Sequence, residues 1–324
     1  MTFSVCFVER RPGKYVSLEK AFRSIAADLS DRYSYNFVQI PFSSRVYNAI
    51  ANLLFFRPKQ ADIYQVTGDP TYIALRLPPE RTVLSIMDLR FVNMNTGIRR
   101  FILKKLFLDL PLRRHRYVTA ISANVRDEIV ALTGCDPDKI RILDLPLMSH
   151  FRANRTKEFD AVKPVILQVG TIANKNVPNL VRALNGLSCK LIVVGELDNE
   201  LLEALESNSI DYENSLSLSN EGMCDAYEKA DIVTFCSTYE GFGLPIIEGQ
   251  MMRKPVITSD LSPMKDTAGI GACLVDPYDP VSIRNGIQRV IDNAEYRESL
   301  VEAGVKNAMR FESKAVASQY ERLY

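Results

Sequence analysis

The hydrophobic positions fall into two kinds of run, short continuous ones and longer periodic ones, and the two alternate along the chain. Residues 3–8 are aromatic and β-branched enough for a buried strand. Ser17 then stands as an N-cap for a helix through Leu29, with Leu18, Phe22, Ile25 and Leu29 on one face. Further strands are predicted at 35–40, 61–66, 81–86, 117–122 and 140–145, with helices at 46–56, 96–110 and 124–132. The polar stretch 151–163 ends at Pro164 and reads as a linker. The pattern then restarts with strand 165–169, loop 170–176, helix 177–184, strand 191–194 and helix 201–206. Weak strand patterns at 210–214 and 216–218 follow, then helix 221–229, strand 231–235, helix 245–252 and strand 255–259. Two helices run from about residue 281 to the end. Such alternation means parallel sheets covered by helices, in two α/β domains, 1–155 and 156–324. The last helix is expected to pack back on the first domain.

Ligands of such sheets bind at the carboxyl ends of the strands. The stretch Glu240-Gly241-Phe242-Gly243-Leu244-Pro245-Ile246-Ile247-Glu248 lies at one such end. It reads as strand, Gly-rich turn and helix start, with proline in the first turn. Free backbone N–H groups and the positive end of a helix dipole together suit a phosphate. Glu248 lies inside the helix and Glu240 on the loop before it, so hydroxyl acceptors stand on both sides of a phosphate cradle. A nucleotide sugar needs that arrangement. The competing reading is a plain helix entry with a solvated glutamate.

Composition narrows the class. The chain has 324 residues, 47% hydrophobic and 24% charged, which is ordinary for a soluble globular protein. A net charge of +1 gives no global field toward nucleic acid. The six cysteines are scattered without a C-x-x-C pair, which fits a reducing compartment and argues against structural zinc. No signal peptide is visible, and no apolar run approaches the ~18 residues of a membrane span. The expected location is cytoplasmic.

Residues 239–280 resemble the donor-binding half of the large GT4 family of retaining glycosyltransferases. The match carries on through Pro255-Val256-Ile257-Thr258-Ser259, Ser262-Pro263-Met264 and Leu274-Val275-Asp276-Pro277. Residue types and spacings agree over about forty positions, and Glu240 and Glu248 occupy the family's E-x7-E motif. Lys265-Asp266 departs from the Pro-Glu usual there. The resemblance implies the GT-B fold, two Rossmann-like domains with parallel sheets facing across a cleft. It implies transfer of a hexose, mannose or glucose, from a UDP- or GDP-sugar to a glycan or lipid-linked acceptor in polysaccharide or glycoconjugate synthesis. By resemblance Glu248 holds the ribose hydroxyls and Glu240 those of the transferred sugar, with Gly241, Phe242, Gly243, Leu244, Gly170 and Thr171 around the nucleotide. In the second loop, Asn174-Lys175-Asn176 stands where relatives carry a basic residue, which makes Lys175 the cation on the leaving diphosphate. The arginine that many relatives carry after the Val-Gly pair is Thr171 here. A solvated Lys175 is the competing reading, although a cation at a helix N-terminus opposes the dipole.

No cofactor and no metal are expected. Asp136-x-Asp138 sits in a Gly-Cys-Asp-Pro turn and reads as a capping element. In the N-terminal domain, Met87-Asp88-Leu89 stands where relatives have His-Asp-Leu, and Gln65 where many have His. No histidine base is available at these positions, and a retaining transfer tolerates this because the departing phosphate can take the acceptor proton. Asp69 and Asp88 remain as candidate acceptor contacts; the competing reading of Asp88 is a strand-end residue that caps the next loop. His115 reads as a surface residue. Arg10-Arg11-Pro12-Gly13-Lys14 is no G-x-G-x-x-G, which argues against a dinucleotide oxidoreductase. Residues 99–116 gather seven basic side chains among apolar ones, and relatives with lipid-linked acceptors dock on membranes by such helices. This puts the protein at the inner face of the membrane; an ordinary core-packed helix is the alternative. Other classes on this fold are an epimerase-like enzyme and a non-catalytic nucleotide-sugar-binding subunit, separable by product analysis with a labelled donor. A phosphorylase would need a much longer chain.

Overall fold

The structure of the chain, a computed structural model, describes residues 2–11, 17–153 and 157–324. Gly13 and part of the polar stretch 151–163 lie outside these residues. The chain divides into two compact units, residues 1–146 with 313–324, and residues 147–312.

The first unit holds strands β1 Phe3–Glu9, β2 Tyr33–Gln39, β3 Ile63–Thr67, β4 Thr82–Ile86, β5 Tyr117–Ala120 and β6 Ile140–Ile142. They form one sheet in the order β2-β1-β3-β4-β5-β6, every pair parallel. Its helices are α1 Ser17–Ala27, α2 Ala49–Phe55, α3 Arg90–Asn93, α4 Gly97–Lys104, α5 Leu110–Arg114 and α6 Ala123–Thr133. The second unit holds β7 Val165–Val169, β8 Lys190–Val194, β9 Asp211–Ser215, β10 Ile232–Phe235, β11 Val256–Ser259 and β12 Ala272–Val275. These run parallel in the order β12-β11-β10-β7-β8-β9. Its helices are α7 Val177–Leu184, α8 Asn199–Ser207, α9 Asn220–Lys229, α10 Leu244–Met251, α11 Met264–Ala268, α12 Pro280–Asp292 and α13 Ala294–Ala308.

Strands sandwiched between helices are apolar on both faces, which explains the continuous runs. In the second unit Ile166, Leu191, Val193 and Ile232 pack against Leu180 and Leu184 of α7 and Ile283 and Ile287 of α12. In the first, Val5, Phe7 and Val83 pack against Phe22 and Ile25 of α1. The last helix, α14 Ser313–Glu321, joins that core through Val316 and Tyr320, and Ser24 and Ser313 hydroxyls meet at 2.7 Å.

Several expectations change. Three α-helices, not two, follow residue 279, because a 3-10 turn at Met309–Phe311 separates α13 from α14. Residues 216–218 form no strand. The basic segment is broken by a π-helical turn, Lys105–Asp109, between α4 and α5. His115 is buried, not on the surface, and burial first, with Arg114 and Lys139 nearby, pushes its pKa down to about 4. Gln65 lies within β3, fully buried, and bonds Ser85 at 2.7 Å while Tyr324 donates to it at 3.1 Å, so its side chain belongs to the interior. Phe151, the first residue of the expected linker, is core instead: it is buried and packs edge-on against Tyr227 at 5.5 Å.

Candidate functional site

In the second unit the chain leaves β7 for β8 and β9 on one side, then returns to β10 on the other. A crevice opens where strand order reverses in this way. Two loops meet at that point, residues 170–176 after β7 and 236–243 after β10. Four hydrogen bonds of Asn174 and Asn176 join them or anchor their ends. Asn174 donates to the Tyr239 carbonyl at 2.8 Å, and the Thr238 N–H donates to the Asn174 carbonyl at 2.8 Å. Asn176 donates to the carbonyls of Cys236 at 3.0 Å and Pro277 at 2.6 Å. Asn176 has φ 60°, a left-handed conformation that asparagine tolerates better than most residues.

This stitching brings Lys175 to Glu240. Lys175 Nζ lies 2.6 Å from Glu240 Oε1, and both side chains are only 15% exposed. The ammonium also sits 4.4 Å above the Phe235 ring. Asn174 Nδ2 adds a bond to the same carboxylate oxygen at 3.2 Å. Gly170 makes the lysine's path possible. Its φ of +87° suits glycine, and a Cβ there would meet Lys175 Cε at 3.0 Å and Cγ at 3.2 Å. Thr171 turns its hydroxyl to the Glu196 carbonyl at 2.5 Å.

The second loop enters α10 through Gly243, φ +116°, where a Cβ would meet Ile246 Cδ1 at 2.9 Å. The backbone N–H groups of Gly241, Phe242, Gly243 and Leu244 donate to no protein acceptor among the described residues. Four N–H groups at one helix start form an anion-binding end. The Phe242 side chain is buried, edge-on to Phe311 at 5.5 Å, so only its backbone lines the loop. Glu248, one turn into α10, accepts a hydrogen bond from Tyr227 at 2.6 Å. Burial pushes its carboxyl up to about 7, against the opposing pull of the Tyr227 hydroxyl and of Lys175. Lys175, Glu240, Gly170, Thr171 and residues 241–243 therefore sit on two adjoining loops of one unit, with Leu244 and Glu248 on the helix α10 that the second loop enters.

Asp88 is not among them; it follows β4 in the first unit. Its Oδ1 accepts the Arg90 N–H at 3.0 Å, and its pKa is raised by burial and by the charges of Asp69 and Glu128. Asp69 follows β3 and pairs with Arg10, which also holds Glu19 at 2.7 Å. Asp136 accepts the Asp138 N–H at 3.0 Å, a local turn contact.

Sequence reasoning missed Tyr227, whose position on α9 follows from no spacing relative to Glu248. It also missed the stitching asparagines, although an asparagine just before a proline-started helix is a left-handed candidate.

Residues 151–307 match the family described as Glycosyl transferases group 1. The chain is 27% identical over 197 residues to the O-antigen chain mannosyltransferase RfbU of Salmonella typhimurium, covering 57% of this chain and 54% of that protein. It is 29% identical over 106 residues to a D-inositol 3-phosphate glycosyltransferase of Corynebacterium diphtheriae, covering 32% and 25%. The matches thus span about a quarter to about half of these curated relatives. HepE of Anabaena, solved with UDP and glucose, has the same fold, with a TM-score of 0.78 at 13% identity over 99% of both chains. The architecture is GT-B.

Proposed function

Because its residues 151–307 belong to the group 1 glycosyl transferases, we propose that this protein moves a hexose from a UDP- or GDP-sugar to a glycan or lipid-linked acceptor, with retention of configuration. The observation that carries the reading is the pair of loops at the β7/β10 switch point. With the first turns of α10 they combine undonated N–H groups, one shielded cation and two carboxylates. The name of the RfbU relative, a mannosyltransferase, favours mannose among the hexoses.

In this reading the diphosphate lies on the N–H groups of residues 241–244 and draws Lys175 Nζ. Glu240, released from that pair, accepts hydrogen bonds from the sugar. Glu248, held from behind by Tyr227, accepts the two ribose hydroxyls. Negative charge grows on the diphosphate as the glycosidic bond breaks, and Lys175 with the helix N-terminus stabilises it there. Neutralisation is assigned to these groups, so the transfer is metal-independent. The departing phosphate takes the acceptor proton on the same face.

The acceptor is assigned to the first unit, at the strand ends bearing Asp69 and Asp88. The α4 helix exposes Ile98 (79%) and Phe101 (67%) beside the exposed Arg99 and Arg100, a face that suits an anionic membrane surface. Among the described residues no helix is long and apolar enough to cross a membrane. A cytoplasmic enzyme peripheral to the inner leaflet fits this reading.

The test is product analysis with labelled UDP- and GDP-hexoses and membrane or glycan acceptors, with and without EDTA. Label should pass to a non-nucleotide product of unchanged anomeric configuration, at equal rates in both conditions. Label that stays nucleotide-linked as a different sugar would mean epimerisation instead. No turnover with any donor would mean a binding subunit.

A further inference from the structure

The basic segment that reads as one helix in the sequence is two surfaces in the fold. Arg99 and Arg100 lie on α4. Arg113, Arg114 and Arg116 lie beyond the π-helical turn and line a groove of about 1150 Å³ in the first unit. Arg141 of β6 and Arg322, just after α14, line the same groove. Three segments distant in sequence thus converge: the entry to β5, the open edge strand β6 and the end of the chain. The groove runs along the sheet edge, from the entry to β5 to Leu143 and Asp144 just after β6, and its wall includes neither Asp69 nor Asp88.

The side chains of these five arginines donate to no protein acceptor among the described residues. By contrast Lys139, also in the wall, is engaged with the Leu112 carbonyl. The wall carries six cations against three carboxylates, in a chain whose net charge is only +1. Two of those carboxylates are engaged: Asp136 accepts the Asp138 N–H, and Asp144 accepts from Gln319 at 2.9 Å. His115, beneath the groove, is kept neutral near pH 7 by burial and so contributes no opposing or added charge. Arg116 also lies over the Tyr117 ring at 5.8 Å, but guanidinium groups without a protein acceptor along one hollow still repel each other, and an anion relieves that repulsion. Planar guanidinium forks match phosphate oxygens in pairs.

We propose that this groove is a second anion site that binds a phosphate-bearing ligand through residues other than those proposed for the acceptor. The proposal stands independently of the donor reading, and the test keeps them apart. Pyrophosphate is titrated calorimetrically into the wild type, into Lys175→Met, and into the triple variant Arg113→Gln/Arg141→Gln/Arg322→Gln. In parallel, the proteins are sedimented with phosphatidylglycerol vesicles and with neutral phosphatidylcholine vesicles.

The expected result is a binding component that Lys175→Met leaves in place and the triple variant weakens by about 100-fold or more. It should fade as salt rises. If the triple variant loses phosphatidylglycerol binding but pyrophosphate never bound, the phosphate is a lipid headgroup. If it loses pyrophosphate binding alone, the ligand is soluble. A triple arginine-to-lysine variant, which keeps the charge, should recover part of the affinity and excludes misfolding as the cause. Wild-type affinity for both probes in the Gln variant, or no binding of either probe to the wild type, would overturn the proposal.

Discussion

Replacing Glu248 by glutamine should stabilise the ligand-free protein while weakening its ligand. Burial raises the Glu248 carboxyl from 4.5 to about 7. That rise corresponds to about 3 kcal/mol against the carboxylate in the folded state. The sign follows from linkage. Below pH 4.5 the carboxyl is protonated folded and unfolded, so no cost arises. Between pH 4.5 and 7 the unfolded chain ionises while the folded one resists, and stability drops. Above pH 7 the full cost stands. Glutamine carries no charge and can still accept the Tyr227 hydrogen bond, so Glu248→Gln removes most of the cost. The gain should be about 2 kcal/mol at pH 8 and only a few tenths at about pH 4.5. For a unit of this size that is roughly 4–8 °C in Tm at pH 8. Thermal unfolding followed by circular dichroism and calorimetry at the two pH values measures it. A variant whose Tm advantage is the same at both pH values, or absent at pH 8, would refute the argument that the carboxylate is held against its preference.

Three further outcomes follow from particular contacts. Gly170→Ala puts a Cβ against the Lys175 stem at a positive φ. It should cost about 1–2 kcal/mol of stability and lower nucleotide affinity, read by denaturant titration and calorimetry. Lys175→Met keeps the stem over Phe235 but removes the charge. It should depress the transfer rate constant more than the affinity for the nucleoside alone, measured by steady-state kinetics and by uridine or guanosine binding. Arg99→Glu with Arg100→Glu should weaken binding to anionic vesicles by roughly 2 kcal/mol or more at low salt, because each basic residue near the surface contributes about 1 kcal/mol. Lys104 is the poorer probe, since it already pairs with Asp109 at 3.0 Å. Sedimentation of the double variant equal to wild type would leave α4 as ordinary surface.

The two α/β units were legible because parallel strands are continuous apolar runs and their helices carry a regular stripe. Val165–Val169 and Val177–Leu184 stand where the pattern places them. The β12 strand was not read, since Gly269-Ile270-Gly271 breaks the run before its four residues. The basic helix read as one element because charge and apolar spacing continue through 105–109. Only the backbone widening to a π turn separates its two ends. The motif residues were visible by spacing, but their electrostatics were not. The Lys175–Glu240 pair needs two loops to meet, and the raised Glu248 carboxyl needs the tertiary burial that Tyr227 helps create. His115 shows the same limit: a histidine in a basic run looks exposed until the chain around it folds over the ring.

The central claim is a nucleotide-diphosphate site shared by the loops after β7 and β10, and one titration tests it most directly. UDP and GDP are titrated calorimetrically into the wild type, Glu240→Gln and Glu248→Gln, with EDTA present throughout. One of the two nucleotides should bind the wild type at one site per chain. Glu248→Gln should weaken that binding by about tenfold or more, through loss of charged hydrogen bonds to the ribose. Glu240→Gln should leave it unchanged or tighter, since it frees Lys175 for the diphosphate. Absence of binding by either nucleotide, or equal weakening in both variants, would contradict the account.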